Sequence, residues 1–132
     1  VPVRCLIGPV IPFLNSQELP QLLKSAAEAG ALDAGYILVR LNGSVQTIFE
    51  DWLRRHYPDR ANRILHTIAA THGGSVQDFR FGLRMRGQGA FAESIARLFA
   101  TLKDRYFKGR TMPAYNLKLF VPRTGRIQSL FS

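Results

Sequence analysis

"VRCLIGPVIPFLNSQELPQLLKSAAEAGALDAGYILVRL", residues 3–41, decides the fold. Its first apolar run, "VRCLI" (3–7), stops at Gly8-Pro9 and reads as a buried strand. Pro9 and Pro12 bracket the exit; each fixes φ at about −65° and neither can donate to a ladder. Asn15 or Ser16 sits where a helix cap belongs, with Glu18 spaced to answer Asn15 in a capping box. Leu19, Leu22, Leu23, Ala26 and Ala27 then recur at helical spacing, with Pro20 early enough to be tolerated and Gly30 as the stop. "GYILVRL" (35–41) is a second strand. Its apolar residues run continuously, the habit of parallel strands buried on both faces.

A strand–helix–strand unit of this kind is parallel and right-handed in nearly all known cases. Two parallel strands leave both edges unpaired and do not stand alone. The remaining sequence offers no third convincing strand, so the chain is expected to be part of a larger sheet. Isolated, it is expected to self-associate through the uncovered edge.

Beyond Ser44 the pattern is helical. Val45, Ile48, Phe49, Trp52 and Leu53 form an apolar stripe ended by Tyr57-Pro58. A third helix starts near Asp59, turns Ile64, Leu65 and Ile68 inward, and stops at Gly73-Gly74. Residues 73–89, "GGSVQDFRFGLRMRGQG", are rich in glycine and arginine and have no period. A fourth helix carries Phe91, Ile95, Leu98, Phe99, Leu102 and Tyr106. The fold class is therefore α/β over residues 1–43, an α-helical extension over 44–108, and an extended, partly disordered tail over 109–132.

The totals bound the chemistry. A length of 132 residues suits one domain or a piece of one, and 46% hydrophobic residues suffice for a core. No apolar run approaches the roughly 18 residues of a membrane span. Cys5 is the single cysteine, which excludes an internal disulfide, fits a reducing, cytoplasmic setting, and leaves no four-thiolate metal site within the chain. Lying in an apolar run, it reads as core. The net charge of +9 is uneven: residues 75–132 hold eleven basic and three acidic residues, against three and four in residues 1–50. A basic half of this kind fits an anionic partner or a well-solvated surface.

Several residues could carry function. The rigid segment Pro9, Val10, Ile11 and Pro12 lies where parallel α/β proteins place ligands, at the C-terminal end of a strand. It could hold backbone groups against a ligand, or merely end the strand. Arg40 lies near the end of a strand that otherwise reads as buried; it faces a polar cavity as a cation for carboxylate or phosphate, or pairs at the sheet rim. Arg80, Arg84 and Arg86, set among glycines, suit phosphate, and Phe79 and Phe81 flank Arg80 in the interleaving found where nucleic acid binds. His56, His66 and His72 lack metal-ligand spacing and read as surface or packing residues. "GQGAF" (87–91) is not a dinucleotide fingerprint, since no strand precedes it.

Taken together, residues 3–41 resemble the C-terminal half of the barrel in a radical S-adenosylmethionine family, the DNA repair photolyase-like family related to spore photoproduct lyase. The pattern there is an apolar strand, "PVIPGLND", a helix ending "AAEAGA", and a strand like "GYVLLRLP". Downstream, "DWLRRHYPDRANRIL" (51–65) and "RFGLRMRGQGAFAESIARLF" (80–99) look like the helical extension of one bacterial branch. The resemblance covers about residues 2–107; Phe13 stands where the family usually has Gly, and Ser16 where it usually has Asp. It implies that residues 1–43 are the last two parallel strands of a partial (β/α) barrel in a longer cytoplasmic enzyme. That enzyme would hold a [4Fe–4S] cluster through an upstream CxxxCxxC loop absent here, and would cleave S-adenosylmethionine to a 5′-deoxyadenosyl radical. The resemblance places Pro9–Pro12 against the adenosyl region and Arg40 near the cofactor's carboxylate or the substrate. It implies no cluster ligand in this chain, which alone would be inactive. The alternative is a non-enzymatic, basic nucleic-acid-binding module using Arg80, Arg84, Arg86 and the basic residues of 97–110. "IQSLF" (127–131) is similar to the bacterial sliding-clamp peptide QLSLF through Ser129, Leu130 and Phe131, which makes a sliding clamp a further candidate partner.

Overall fold

The two apolar runs of residues 3–41 pair side by side. In the computed structural model, which describes residues 1–74 and 87–119, β1 (Arg4–Val10) and β2 (Asp33–Leu38) lie parallel. Arg4 stands opposite Asp33, Cys5 opposite Ala34, Leu6 opposite Gly35, Ile7 opposite Tyr36 and Val10 opposite Leu38. The register slips between Ile7 and Val10, where Gly8-Pro9 interrupts donation. The pairing runs past the expected bounds: Leu32 donates to the Val3 carbonyl at 2.9 Å, and Val39 to the Val10 carbonyl at 2.9 Å. The side chains of Val39 and Leu41 bury in a second core.

A 3-10 turn (Ser16–Glu18) leads into α1 (Leu19–Glu28), with Pro20 in its first turn as expected. The capping box does not form. No side chain caps either helical start, because the Asn15 carboxamide is engaged behind it, on the strand exit. The helix ends as its glycine predicts. Gly30 has φ +93°, Ala31 N–H reaches the Ala26 carbonyl at 3.0 Å, and Gly30 N–H the Ala27 carbonyl at 3.1 Å, a Schellman closure. Arg110 adds a cation there, its Nη1 donating to the carbonyls of Ala27 (2.8 Å) and Ala31 (2.6 Å).

Next come α2 (Ser44–His56), α3 (Pro58–Thr71) and α4 (Gly89–Phe107). Tyr57-Pro58 separates α2 from α3, since proline at the first helical position of α3 cannot continue the α2 ladder. Helices α1 and α4 cover one face of the sheet. Leu19, Leu23, Ala27, Ala34, Leu38, Ile95, Phe99 and Leu102 form that core, with Cys5 and Ile7 packed against it. The second core sets Val39 and Leu41 against Leu53, Ala61, Ile64 and Ile68. Burying each such Leu or Ile side chain contributes about 1.5–3 kcal/mol. The α2 stripe departs from expectation: only Leu53 is buried, whereas Val45, Ile48 and Trp52 are exposed. Leu98 of α4 is likewise exposed. Residues 110–116 have no regular structure, and a 3-10 turn follows at Leu117–Leu119.

Candidate functional site

Among the described residues, no element covers the sheet's other face. Leu6, Gly8, Gly35 and Ile37 share it: a Cβ on Gly8 would lie 3.4 Å from Ile37 Cβ, and one on Gly35 3.4 Å from Leu6 Cδ1. Leu6 is 62% exposed, an unusual state for a strand residue paired on a parallel ladder. At the C-terminal ends of the strands this face deepens into an open concavity of about 440 Å³. Leu6, Ile37 and Val45 supply its apolar floor, Gly8 and Pro9 its backbone wall, and Arg40 and Asn42 its polar groups.

Arg40 is half-buried, and among the described residues no carboxylate pairs with it. A cation placed on an apolar rim without a partner is costly unless a ligand or water meets it. Arg40 lines the concavity beside Asn42. Asn42 escaped the sequence reading. Its signal was its place two residues beyond Arg40 at a strand exit.

The segment Pro9–Pro12 is divided. Pro9 lines the concavity, while Val10 and Pro12 are buried and Ile11 packs against the second core. Its polar backbone is largely engaged within the protein. Asn15 Oδ1 accepts the Ile11 N–H at 2.7 Å, Asn15 Nδ2 donates to the Pro9 carbonyl at 3.0 Å, and the Val10 carbonyl accepts from Val39. Phe13, where the resemblance expects glycine, has φ +57°. That conformation suits glycine and costs a bulky residue about 1 kcal/mol. The ring lies 4.0 Å beneath the Arg63 guanidinium and 6.1 Å from the Phe91 ring, contacts glycine could not make.

The remaining candidates lie elsewhere. Arg80, Arg84, Arg86, Ser129, Leu130 and Phe131 fall outside the described residues. Of the basic stretch 97–110, Arg110 caps α1 and Lys103 reaches Asp33 at 2.6 Å, so both are committed to the fold. Burial raises the Asp33 carboxyl. The Lys103 hydrogen bond, the Ala34 backbone and the charges of Lys103 and Arg4 outweigh that and hold it below its ordinary value. His72 is a packing residue: 3% exposed, its Nε2 donates to the Val39 carbonyl at 2.7 Å and ties α3 to the strand exit. His56 and His66 are exposed. Among the described residues no group of three His, Cys, Asp or Glu side chains could hold a metal ion, and no helix is long and apolar enough to cross a membrane.

No family model, no curated protein and no solved structure matches this chain.

Proposed function

We propose that residues 1–43 are one wall of a (β/α) barrel in a radical S-adenosylmethionine enzyme, with the bare sheet face as the barrel's inner surface. The uncovered face of a parallel pair carries this reading. Parallel strands are stable when both faces are covered, and here helices cover one face while Leu6, Gly8, Gly35 and Ile37 line the other. Further strands of a longer chain would curve round that face and enclose it.

The concavity suits the cofactor in kind. Its volume of about 440 Å³ falls within the range of roughly 300–1,000 Å³ for small-molecule sites. Arg40 would hold a carboxylate, Asn42 would orient a polar edge, and Leu6, Ile37 and Val45 would exclude water from the apolar side. The cluster needs three thiolates, so its ligands would lie outside this chain. When bound, S-adenosylmethionine and the cluster supply a carbon radical that removes hydrogen from a substrate.

The test is the whole gene product, purified without oxygen. The reading predicts three closely spaced cysteines upstream, iron and sulfide in the protein, and binding of S-adenosylmethionine that weakens at least tenfold in Arg40→Gln. Absence of the cysteines and of iron overturns it.

A further inference from the structure

The corner between α2 and α3 carries a surface that the barrel reading does not use. Trp52, the only tryptophan of the chain, is 38% exposed and lies outside both core clusters. It is the centre of an aromatic group. Its ring lies 5.2 Å from His56 in a stacked arrangement (26° between planes), 5.6 Å from Tyr57 and 5.8 Å from Phe49. The group is held in place: the His56 Nδ1–H donates to the Trp52 carbonyl at 2.9 Å, and Phe49 and Tyr57 pack on the second core.

Cations flank this group, and among the described residues Arg54, Arg60 and Arg63 have no carboxylate partner. The Arg60 guanidinium lies 5.7 Å from the centre of the Tyr57 ring, and Arg63, one turn further along α3, lies over Phe13 at 4.0 Å. Arg54 donates to the Asn62 carboxamide at 3.1 Å. These partners are neutral. Of the neighbouring carboxylates, Asp51 is taken up by Arg55 at 2.8 Å, Glu50 accepts from Gln46 Nε2 at 2.8 Å, and Asp59 sits in the first turn of α3. The exposed rings of Trp52 and His56, pre-positioned beside guanidinium groups resting on neutral partners, match a polymer that offers flat π-faces and regularly spaced anions together. An acidic peptide offers the anions alone, and duplex DNA keeps its faces stacked inside.

We propose that the α2–α3 corner, through Trp52, His56, Tyr57, Arg54 and Arg60, binds single-stranded nucleic acid, with a base stacked on Trp52 and phosphates on the arginines. The surface is distinct from the Arg40 concavity, so its failure and that of the barrel reading are separate results.

Trp52 is its own reporter. The full chain is titrated at low salt with a 12-nucleotide oligothymidylate while indole emission is read; quenching is expected. With a labelled oligonucleotide, anisotropy should show Trp52→Ala binding about tenfold more weakly and Trp52→Phe within about threefold of the parent. Arg60→Gln should reduce the slope of log K against log salt by about 0.7, the share of one phosphate on a single strand. Circular dichroism checks that each variant is folded. The proposal is overturned if the oligonucleotide does not bind. It is overturned equally if it binds with indole emission and Trp52→Ala affinity unchanged. A matching 12-base-pair duplex, polyglutamate or an anionic lipid vesicle that binds as tightly through Trp52 also overturns it.

Discussion

Asn15 holds Ile11 by its backbone: the side-chain Oδ1 accepts the Ile11 N–H at 2.7 Å. The same carboxamide donates Nδ2 to the Pro9 carbonyl at 3.0 Å, so one side chain fixes the strand exit from both sides. Neither proline can donate, so the side chain does here what a ladder partner would do elsewhere. Asn15→Ala leaves a half-buried N–H and a carbonyl unmatched and should cost about 1–3 kcal/mol in urea unfolding. Asn15→Asp keeps the acceptor and loses the donor, so it should fall between Ala and the parent. A loss below about 0.5 kcal/mol for Asn15→Ala would mean that the prolines alone hold the exit.

Arg40 separates site from scaffold. With no carboxylate partner among the described residues, its charge contributes little to folding. Arg40→Gln should therefore change the unfolding free energy by less than about 0.5 kcal/mol, as surface substitutions do. A loss above about 1.5 kcal/mol would place the guanidinium in a structural interaction and remove it from ligand binding.

The strand–helix–strand core was legible because apolar period and glycine stops speak directly about burial and φ. The strand pair, α1 with its Gly30 ending, the Tyr57-Pro58 break and the burial of Ile64 and Ile68 all follow from those signals. What was not legible depends on neighbours distant in sequence. Asn15 has a cap's place in the sequence, yet its carboxamide is engaged by the Ile11 N–H and the Pro9 carbonyl. Val45, Ile48 and Trp52 have helical spacing, but no element of the described chain lies over them. His72 looked like one of three unremarkable histidines; its role comes from a carbonyl 33 residues earlier. Arg40 was readable as a charge out of place, whereas Asn42 beside it needed the concavity to be seen.

Leu6 tests whether the bare face is sticky in the isolated chain. An apolar side chain 62% exposed beside Ile37 and Val45 favours association. Light scattering over a concentration series should show self-association that weakens in Leu6→Glu, while thermal stability of the dilute protein stays nearly unchanged. A parent protein that remains monomeric at high concentration contradicts this.

Asp33 makes stability depend on acidity. Its folded carboxyl titrates below the ordinary 3.8 through Lys103 and Arg4, despite an opposing push from burial. A depressed folded value means that the unfolded chain takes up the proton first. The contribution is thus complete above the ordinary value and is lost as pH falls from there through the folded one. Lys103, whose hydrogen bond outweighs the Arg4 charge, should matter more than Arg4, whose side chain is 56% exposed. Urea midpoints across this acidic range should fall less steeply in Asp33→Asn, and Lys103→Met should flatten the profile more than Arg4→Met.

Gly87 is the position at which the entry to α4 meets the sheet. Its φ is +67°, and a Cβ there would lie 2.5 Å from Thr71 Cγ2 and 2.9 Å from Leu38 Cδ1. Neither neighbour can retreat freely. Leu38 is 2% exposed in the main core, and Thr71 is 3% exposed, its hydroxyl donating to the Thr67 carbonyl at 2.7 Å. Gln88 N–H also donates to the Thr71 carbonyl at 2.8 Å, which pins the backbone on either side of the contact. Gly87→Ala therefore combines an unfavourable φ with a close contact and should cost about 2–4 kcal/mol. Thr71→Ser removes the methyl that the new Cβ would strike. The double variant should recover part of that loss, at most the share due to contact, because the φ cost and the Leu38 contact remain. A double variant no more stable than Gly87→Ala would assign the whole loss to backbone conformation and to Leu38.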